Sequence, residues 1–272
     1  MKVKINNKRL WANFSKVVSI VVAALSLVLT VIDFEQKSKL IISIIVLIFL
    51  IIIFWSMWYS ANKKTEQKLK INSTDILIKY GDIFSQEGIK VIAFNEYFDT
   101  QVDDKIISSN TLNGIYINNY SGGSEVLDNS INNEERLKNN VIQKNVSRPY
   151  GGKTTKYKLG SICPIDDYFL LALTHFDDEN KATISVEDYI SCLMHMWSEI
   201  DKYYSGRPVS LTLLGSGITR FNNADIPPQE LLKYLVMTFK ASKAKFNNTS
   251  SLTIVLNEKV KDEINLYDIK EN

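Results

Sequence analysis

Cysteine and histidine are nearly absent from this chain. Cys163 and Cys192 are its only cysteines, and His175 and His195 its only histidines. Two thiols build neither a disulfide framework nor a zinc spacing, and with so few soft ligands no metal site is expected. An excess of one charge is also missing. The formal net charge is +2, which argues against nucleic acid as the main partner. Charge is missing locally as well: beyond Lys16, residues 14–32 and 40–59 carry none, so a ready-made ion pathway through one chain is not expected.

Those two uncharged runs are the strongest feature present. A helix rises about 1.5 Å per residue, so roughly 20 residues cross the hydrocarbon layer of a bilayer. Both runs fit, and the sequence predicts a transmembrane hairpin over residues 1–59. Asp33-Phe34-Glu35 follows the first run where a signal peptide would carry small residues for cleavage, so both helices are expected to be retained. Lys2, Lys4, Lys8, Arg9 and Lys16 stand at the start of the first run, and Lys63, Lys64, Lys68 and Lys70 follow the second. The positive-inside rule places both termini, and everything after the hairpin, in the cytoplasm of an inner membrane. Trp11, Trp55, Trp58 and Tyr59 fall at the cytoplasmic interface that this topology defines. Along the first helix Ser19, Ala23, Ser26 and Thr30 form a stripe of small residues. Such a stripe lets another helix approach closely, either the second helix of the hairpin or one of a neighbouring chain.

Residues 60–71 read as a polar, lysine-rich linker, and residues 72–272 as one domain able to bury its own core. Apolar runs predict strands at residues 74–79, 89–94, 159–165, 168–176, 208–214 and 251–256. Residues 111–120 are ambiguous, 129–140 read as a surface helix, and 147–155 as a loop. The clearest helix is 186–204: Ser185 and Asp188 suit a cap, and Val186, Ile190, Leu193, Trp197, Ile200 and Tyr204 recur at helical spacing. Pro227-Pro228 opens another helix to about residue 242, and Asn257 suits the cap of a last one. Strands alternating with helices predict a three-layer α/β/α fold around a mixed central sheet.

Two glycine turns follow apolar strands. One is Gly81-Asp82-Ile83, the other Gly215-Ser216-Gly217-Ile218-Thr219. Glycine there lets backbone N–H groups meet an anion, and ligands of α/β sheets bind at the carboxyl ends of strands. Neither turn runs on into Gly-Lys-Ser/Thr, and neither completes a dinucleotide fingerprint. His175 ends an apolar strand near that edge, whereas His195 lies inside the long helix and reads as a packing residue. No Ser/His/Asp or Cys/His arrangement follows from spacing.

Lys79-Tyr80-Gly81-Asp82-Ile83-Phe84, then Val91-Ile92-Ala93-Phe94-Asn95, then Leu213-Leu214-Gly215-Ser216-Gly217-Ile218 resemble, in order and spacing, the motifs of macro domains. The resemblance covers residues 72–272 and implies binding of ADP-ribose or a derivative. It implies that Asp82, with Ile83 beside it, meets the adenine, and that Asn95 lies near the distal ribose. Gly215, Ser216, Gly217, Ile218 and Thr219 would cradle the diphosphate, and Arg220 would add charge-assisted bonds. After Asn95 the chain reads Glu96-Tyr97-Phe98-Asp99-Thr100 in place of the glycine run of hydrolytic members. Tyr97 and Phe98 are then expected to shape the pocket, and recognition is expected without catalysis or cofactor. A macro-like domain behind two membrane helices resembles the membrane effectors of type II Thoeris anti-phage systems. In that family a partner protein with a TIR domain makes a histidine-like ADP-ribose conjugate, and its binding drives homo-oligomerisation and membrane disruption. The alternatives are a membrane-anchored ADP-ribose hydrolase and a non-catalytic reader of ADP-ribosylated proteins.

Overall fold

The computed structural model describes residues 3–177, 179–222, 224–242, 244–246 and 251–269. It divides into two units, one of residues 3–67 with 265–269, the other of residues 68–264.

The first unit is built on two helices, α1 (Lys8–Val31) and α2 (Gln36–Asn62). Both are long and apolar enough to cross a membrane, and both extend past their apolar runs into polar residues. Asn7 caps α1, its side chain accepting from the N–H groups of Arg9 and Leu10 at 3.0 and 3.1 Å. The less exposed residues of α1 are Phe14, Val18, Val21, Leu25 and Leu29, and those of α2 are Ile42, Val46, Leu50, Ile53 and Met57. Both sets recur at helical steps and form the seam of the hairpin. Trp11, Phe14 and Phe54 close one end, with ring centroids 5.0–5.8 Å apart. Ser19, Ala23, Ser26 and Thr30 stand outside this seam and are exposed. The hydroxyls of Ser19 and Thr30 donate to backbone carbonyls one turn back, at 2.9 and 2.7 Å. The C-terminal segment joins the same unit: Asn7 donates to Asp268 at 2.7 Å, Asn13 to the Tyr267 hydroxyl at 3.0 Å, and Arg9 to the carbonyls of Tyr267 and Ile269.

The second unit is a mixed sheet between helices. Its strands are β1 (Glu66–Ile71, of which residues 68–71 fall in this unit), β2 (Thr74–Tyr80), β3 (Ile89–Asn95), β6 (Ile162–Ile165), β7 (Tyr168–Phe176), β8 (Ala182–Ile184), β9 (Val209–Thr212), β10 (Arg220–Phe221) and β11 (Ser251–Leu256). A separate small ribbon pairs β4 (Val141–Gln143) with β5 (Lys156–Tyr157). The order across the main sheet is β1-β2-β11-β9-β3-β7-β8-β10, with β6 also on β7. Strands β2, β11, β9, β3 and β7 are mutually parallel, so their carboxyl ends share one edge. The residues read as a linker hold the end of α2 and β1, whose alternating burial marks an amphipathic strand.

Helices α3 (Leu112–Asn119), α4 (Ser124–Asn133) and α5 (Glu135–Lys138) cover one face. Tyr116, Ile117, Leu127, Ile131 and Leu137 pack there with Ile92, Phe94, Leu170, Ala172 and Val255. The ambiguous stretch is therefore helical. Thr111 caps it, and Gly114 permits it, since a Cβ on Gly114 would lie 2.2 Å from the Ser108 carbonyl oxygen. The expected surface helix starts earlier and breaks at Glu134, whose carboxylate caps α5. On the other face α6 (Val186–Tyr203) packs against α7 (Pro228–Ser242) through Trp197, which meets Phe239 at 5.0 Å and donates to Thr238 at 3.0 Å. The Ser185 cap forms as expected, with the Asp188 N–H 3.0 Å from its hydroxyl. The buried face of α6 also takes Tyr189, Cys192 and Met196, while Val186 and Ile190 are half exposed. After Asn257 the chain makes a short 3-10 turn, Glu258–Val260, in place of the expected helix. The three-layer α/β/α architecture with a mixed sheet is as the sequence predicts.

Candidate functional site

The shared carboxyl edge holds a cleft of about 420 Å³. One wall is the turn after β9: Gly215, Ser216, Gly217 and Thr219, running into Arg220 and Phe221 of β10. The other is built from Asp225, Ile226, Pro228 and Leu231 around the start of α7, with Val260 and Glu263 from the segment after β11. The turn is anchored from below. Tyr189 donates from its hydroxyl to the Leu214 carbonyl at 2.8 Å, and the N–H and hydroxyl of Ser216 both reach the Leu213 carbonyl, at 3.2 and 2.6 Å. Gly215 has φ +82°, where a side chain is strained, and a Cβ there would press on the Phe221 ring at 3.1 Å.

Beyond Ser216 the backbone is open. The N–H groups of Gly217, Ile218 and Thr219 have no partner among the described residues. Ile218 is 66% exposed, and Arg220 is exposed with no carboxylate partner among the described residues. Consecutive free N–H groups beside a guanidinium are the ingredients of an anion site. The structure thus brings Gly215, Ser216, Gly217, Thr219 and Arg220 together at one cleft, with Ile218 in the same turn but outside its lining.

Asp82 and Ile83 stand at the end of β2, beyond β11 from that turn, and do not line the cleft. Asp82 is exposed and caps its own turn, accepting from the Phe84 N–H at 3.1 Å, while Ile83 is 2% exposed and packs in the core. The segment after β11 links the two places. Its Lys261 sits over the Tyr80 ring at 5.4 Å, and burial, then the charges of Glu258 and Asp262, hold the Tyr80 phenol above its ordinary pKa.

Asn95 lies at the end of β3 and is 3% exposed. Its carbonyl accepts from the N–H groups of Tyr97 and Asp99 at 2.9 and 3.3 Å, and its amide donates to Asp99 at 2.9 Å. Phe98, at φ +49°, turns fully into the core, 5.3 Å from the Tyr157 ring. Tyr97 is 5% exposed, and the Arg148 guanidinium lies 4.2 Å from its ring centre. Burial, and then the charge of Glu96, push the Tyr97 phenol up. Where a ribose pocket was expected, an internally satisfied network fills the turn. Arg148 donates to Asp99 at 2.7 Å, to the Lys153 carbonyl at 3.0 Å and to Asn180 at 2.7 Å. Sequence reading passed over Arg148, Lys153 and Asn180, because partners 49 or more residues from Asp99 leave no local pattern. Glu96, beside them, is 1% exposed and bound to His175.

A mixed sheet between two helical layers, with a glycine turn opening on its carboxyl edge, defines a macro-type domain. Residues 76–257 match the family model described as Thoeris protein ThsA, Macro domain. Thoeris protein ThsA of Bacillus amyloliquefaciens (strain Y2) is 40% identical over 266 residues, spanning 91% of this chain and 88% of that protein. The chain belongs to this Thoeris ThsA family, as a macro-like domain behind two apolar helices had suggested. Among solved structures, the Oceanobacillus iheyensis macrodomain with ADP aligns at a TM-score of 0.44 and 13% identity, over 74% of this chain and 92% of that one. The same macrodomain with MES bound aligns at 0.44 and 13%, over 74% and 93%.

Proposed function

We propose that this chain is a two-pass effector of Thoeris anti-phage defence, anchored in the inner membrane with both termini and its macro domain in the cytoplasm. The domain binds an ADP-ribose conjugate of the histidine type, made by a TIR-domain protein. Binding drives chains to assemble, and the assembly disrupts the membrane of the infected cell. The observation that carries the binding step is the row of N–H groups of Gly217, Ile218 and Thr219, without a partner among the described residues, beside Arg220. The ligand must favour the assembled state over the resting one, or binding changes nothing. Recognition is favoured over hydrolysis because the Asn95 amide is spent inside its own turn.

Calorimetric titration of the full chain in detergent, with ADP-ribose and with its histidine conjugate, tests this reading. Mass spectrometry of the mixture afterwards reports turnover. Intact conjugate bound in preference to ADP-ribose is expected. Arg220→Ala should weaken binding by about 1.5–3 kcal/mol, the range for a hydrogen bond to a charged group. Unchanged affinity would move the diphosphate away from Arg220, and a hydrolysed conjugate would make the chain an enzyme.

A further inference from the structure

The two ends of the hairpin differ in charge. At the connector, Lys37 and Lys39 stand with Asp33 and Glu35, and Lys39 pairs with Asp33 at 3.2 Å. At the other end the cations are Lys4, Lys8, Arg9, Lys63 and Lys64. The chain before α1 is folded back to gather them there. The Val3 N–H donates to the Asn62 side chain at 2.8 Å, the Trp58 indole donates to the Val3 carbonyl at 2.8 Å, and Val3 is 2% exposed. The Asn7 N–H closes a turn on the Lys4 carbonyl at 2.9 Å. Lys4 and Lys8 thus flank the end of α2, which runs on into Lys63 and Lys64.

Little in this unit neutralises these cations. Lys4, Lys8, Lys63 and Lys64 are exposed, with no carboxylate partner among the described residues. Lys63 lies over the Tyr59 ring at 4.5 Å, which leaves its charge in place. Arg9 donates to the carbonyls of Tyr267 and Ile269 and lies 4.9 Å from the Tyr267 ring, so its charge is also unbalanced. The carboxylates on this side are Glu66 and Asp268. Asp268 already accepts from Asn7 and Asn265, each at 2.7 Å. Lys64 registers the crowding: partial burial, and then the charge of Arg9, hold its ammonium below the ordinary lysine value, and the opposing effect of Glu66 is the smallest of the three. Beside the cations stand exposed rings: Trp11, Trp55 and Tyr59 are 46%, 51% and 55% exposed. A free phosphate would use the cations alone. A phospholipid uses both, its phosphate on the ammonium groups and its glycerol and acyl chains along the rings.

We propose that this end of the hairpin is a binding surface for an anionic glycerophospholipid, held at its headgroup by Lys4, Lys8, Lys63 and Lys64 and along its chains by Trp11, Trp55 and Tyr59. A zwitterionic headgroup brings its own cation and gains little there. The positive-inside bias orients a hairpin but selects no lipid; a gathered, uncompensated patch does the second. This inference rests on the membrane reading of the two helices and is independent of the cleft.

The full chain in detergent is supplied with equal amounts of dioleoyl phosphatidylglycerol and dioleoyl phosphatidylcholine, and native mass spectrometry counts the lipids it retains. The wild type should keep phosphatidylglycerol over phosphatidylcholine by about tenfold or more, each lysine contributing up to about fivefold. Lys4→Gln, Lys8→Gln, Lys63→Gln and Lys64→Gln together should abolish the preference. Lys37→Gln with Lys39→Gln, at the connector, should leave it within about twofold of the wild type. All six lysines are exposed, so both variants should keep the helix content of the wild type. A large excess of inorganic phosphate should not displace the lipid. Equal retention of the two lipids by the wild type, an equal loss in the connector variant, or displacement by phosphate overturns the proposal, the last making the surface a plain anion site. Alkaline extraction of the full chain from phosphatidylcholine liposomes checks the membrane reading by itself: release would remove that reading, and this inference with it.

Discussion

At the scale of single residues, burial decides what each reactive group can do. Cys163 and Cys192 are free thiols, both buried, and burial pushes each up to about 12. A thiol held that high stays protonated at neutral pH and is neither a nucleophile nor a metal ligand. The sign of the linked stability follows. In the unfolded chain these thiols ionise near the ordinary value of 9.0, while the folded chain keeps its protons. Unfolding then releases protons, so the contribution is complete below about pH 9 and is lost as pH rises toward 12, at about 1.4 kcal/mol per unit for each thiol. Native protein at pH 8 should leave both thiols unreactive toward a disulfide reagent. Denaturant midpoints should fall from pH 9 upward, and less steeply in Cys192→Ala. Rapid labelling of either thiol at pH 8 would show that the burial is not maintained.

At the scale of elements, the turn after β3 is held by partners far apart in the chain. Arg148 joins Asp99, the loop at Lys153 and the loop at Asn180, with its guanidinium against Tyr97 and Phe176. Its side chain is 6% exposed and that of Asp99 1%. Removing one partner of such a pair strands the other charge, at about 3–5 kcal/mol. Arg148→Ala should therefore destabilise the full chain by that amount in chemical denaturation, and Arg148→Lys should recover only part, having lost the planar fork. A loss under 1 kcal/mol would mean that water replaces the guanidinium. This cluster also marks where legibility ends. Strand ends, the Ser185 cap and both glycine turns were readable because each is local: an apolar run, a capping residue, a glycine. The inward turn of Phe98, the engagement of Asn95 and the pairing of Glu96 with His175 depend on long-range packing, which leaves no local pattern. β1 was missed because its polar alternate residues look like a linker until the sheet buries Gln67, Leu69 and Ile71.

At the scale of the whole molecule, the proposed assembly asks how a hairpin whose seam is already formed would meet another chain. The seam of α1 uses Phe14, Val18, Val21, Leu25 and Leu29, leaving Ser19, Ala23, Ser26 and Thr30 exposed on a different face. In lipid no hydrophobic gain distinguishes one apolar face from another, so close approach along small residues is what favours association. The two readings of the stripe therefore separate. Packing within the hairpin does not use it, and packing between hairpins has it available. Leucine at both Ala23 and Ser26 adds bulk on the exposed stripe while leaving the seam untouched. Helix content and ligand affinity of the double variant should match the wild type, because neither the hairpin seam nor the cleft changes. Its ligand-driven oligomers, read by cross-linking in liposomes loaded with a fluorescent dye, should be reduced, and dye release reduced with them. If oligomers and dye release both persist, assembly runs through another surface, and the stripe serves only lipid contact.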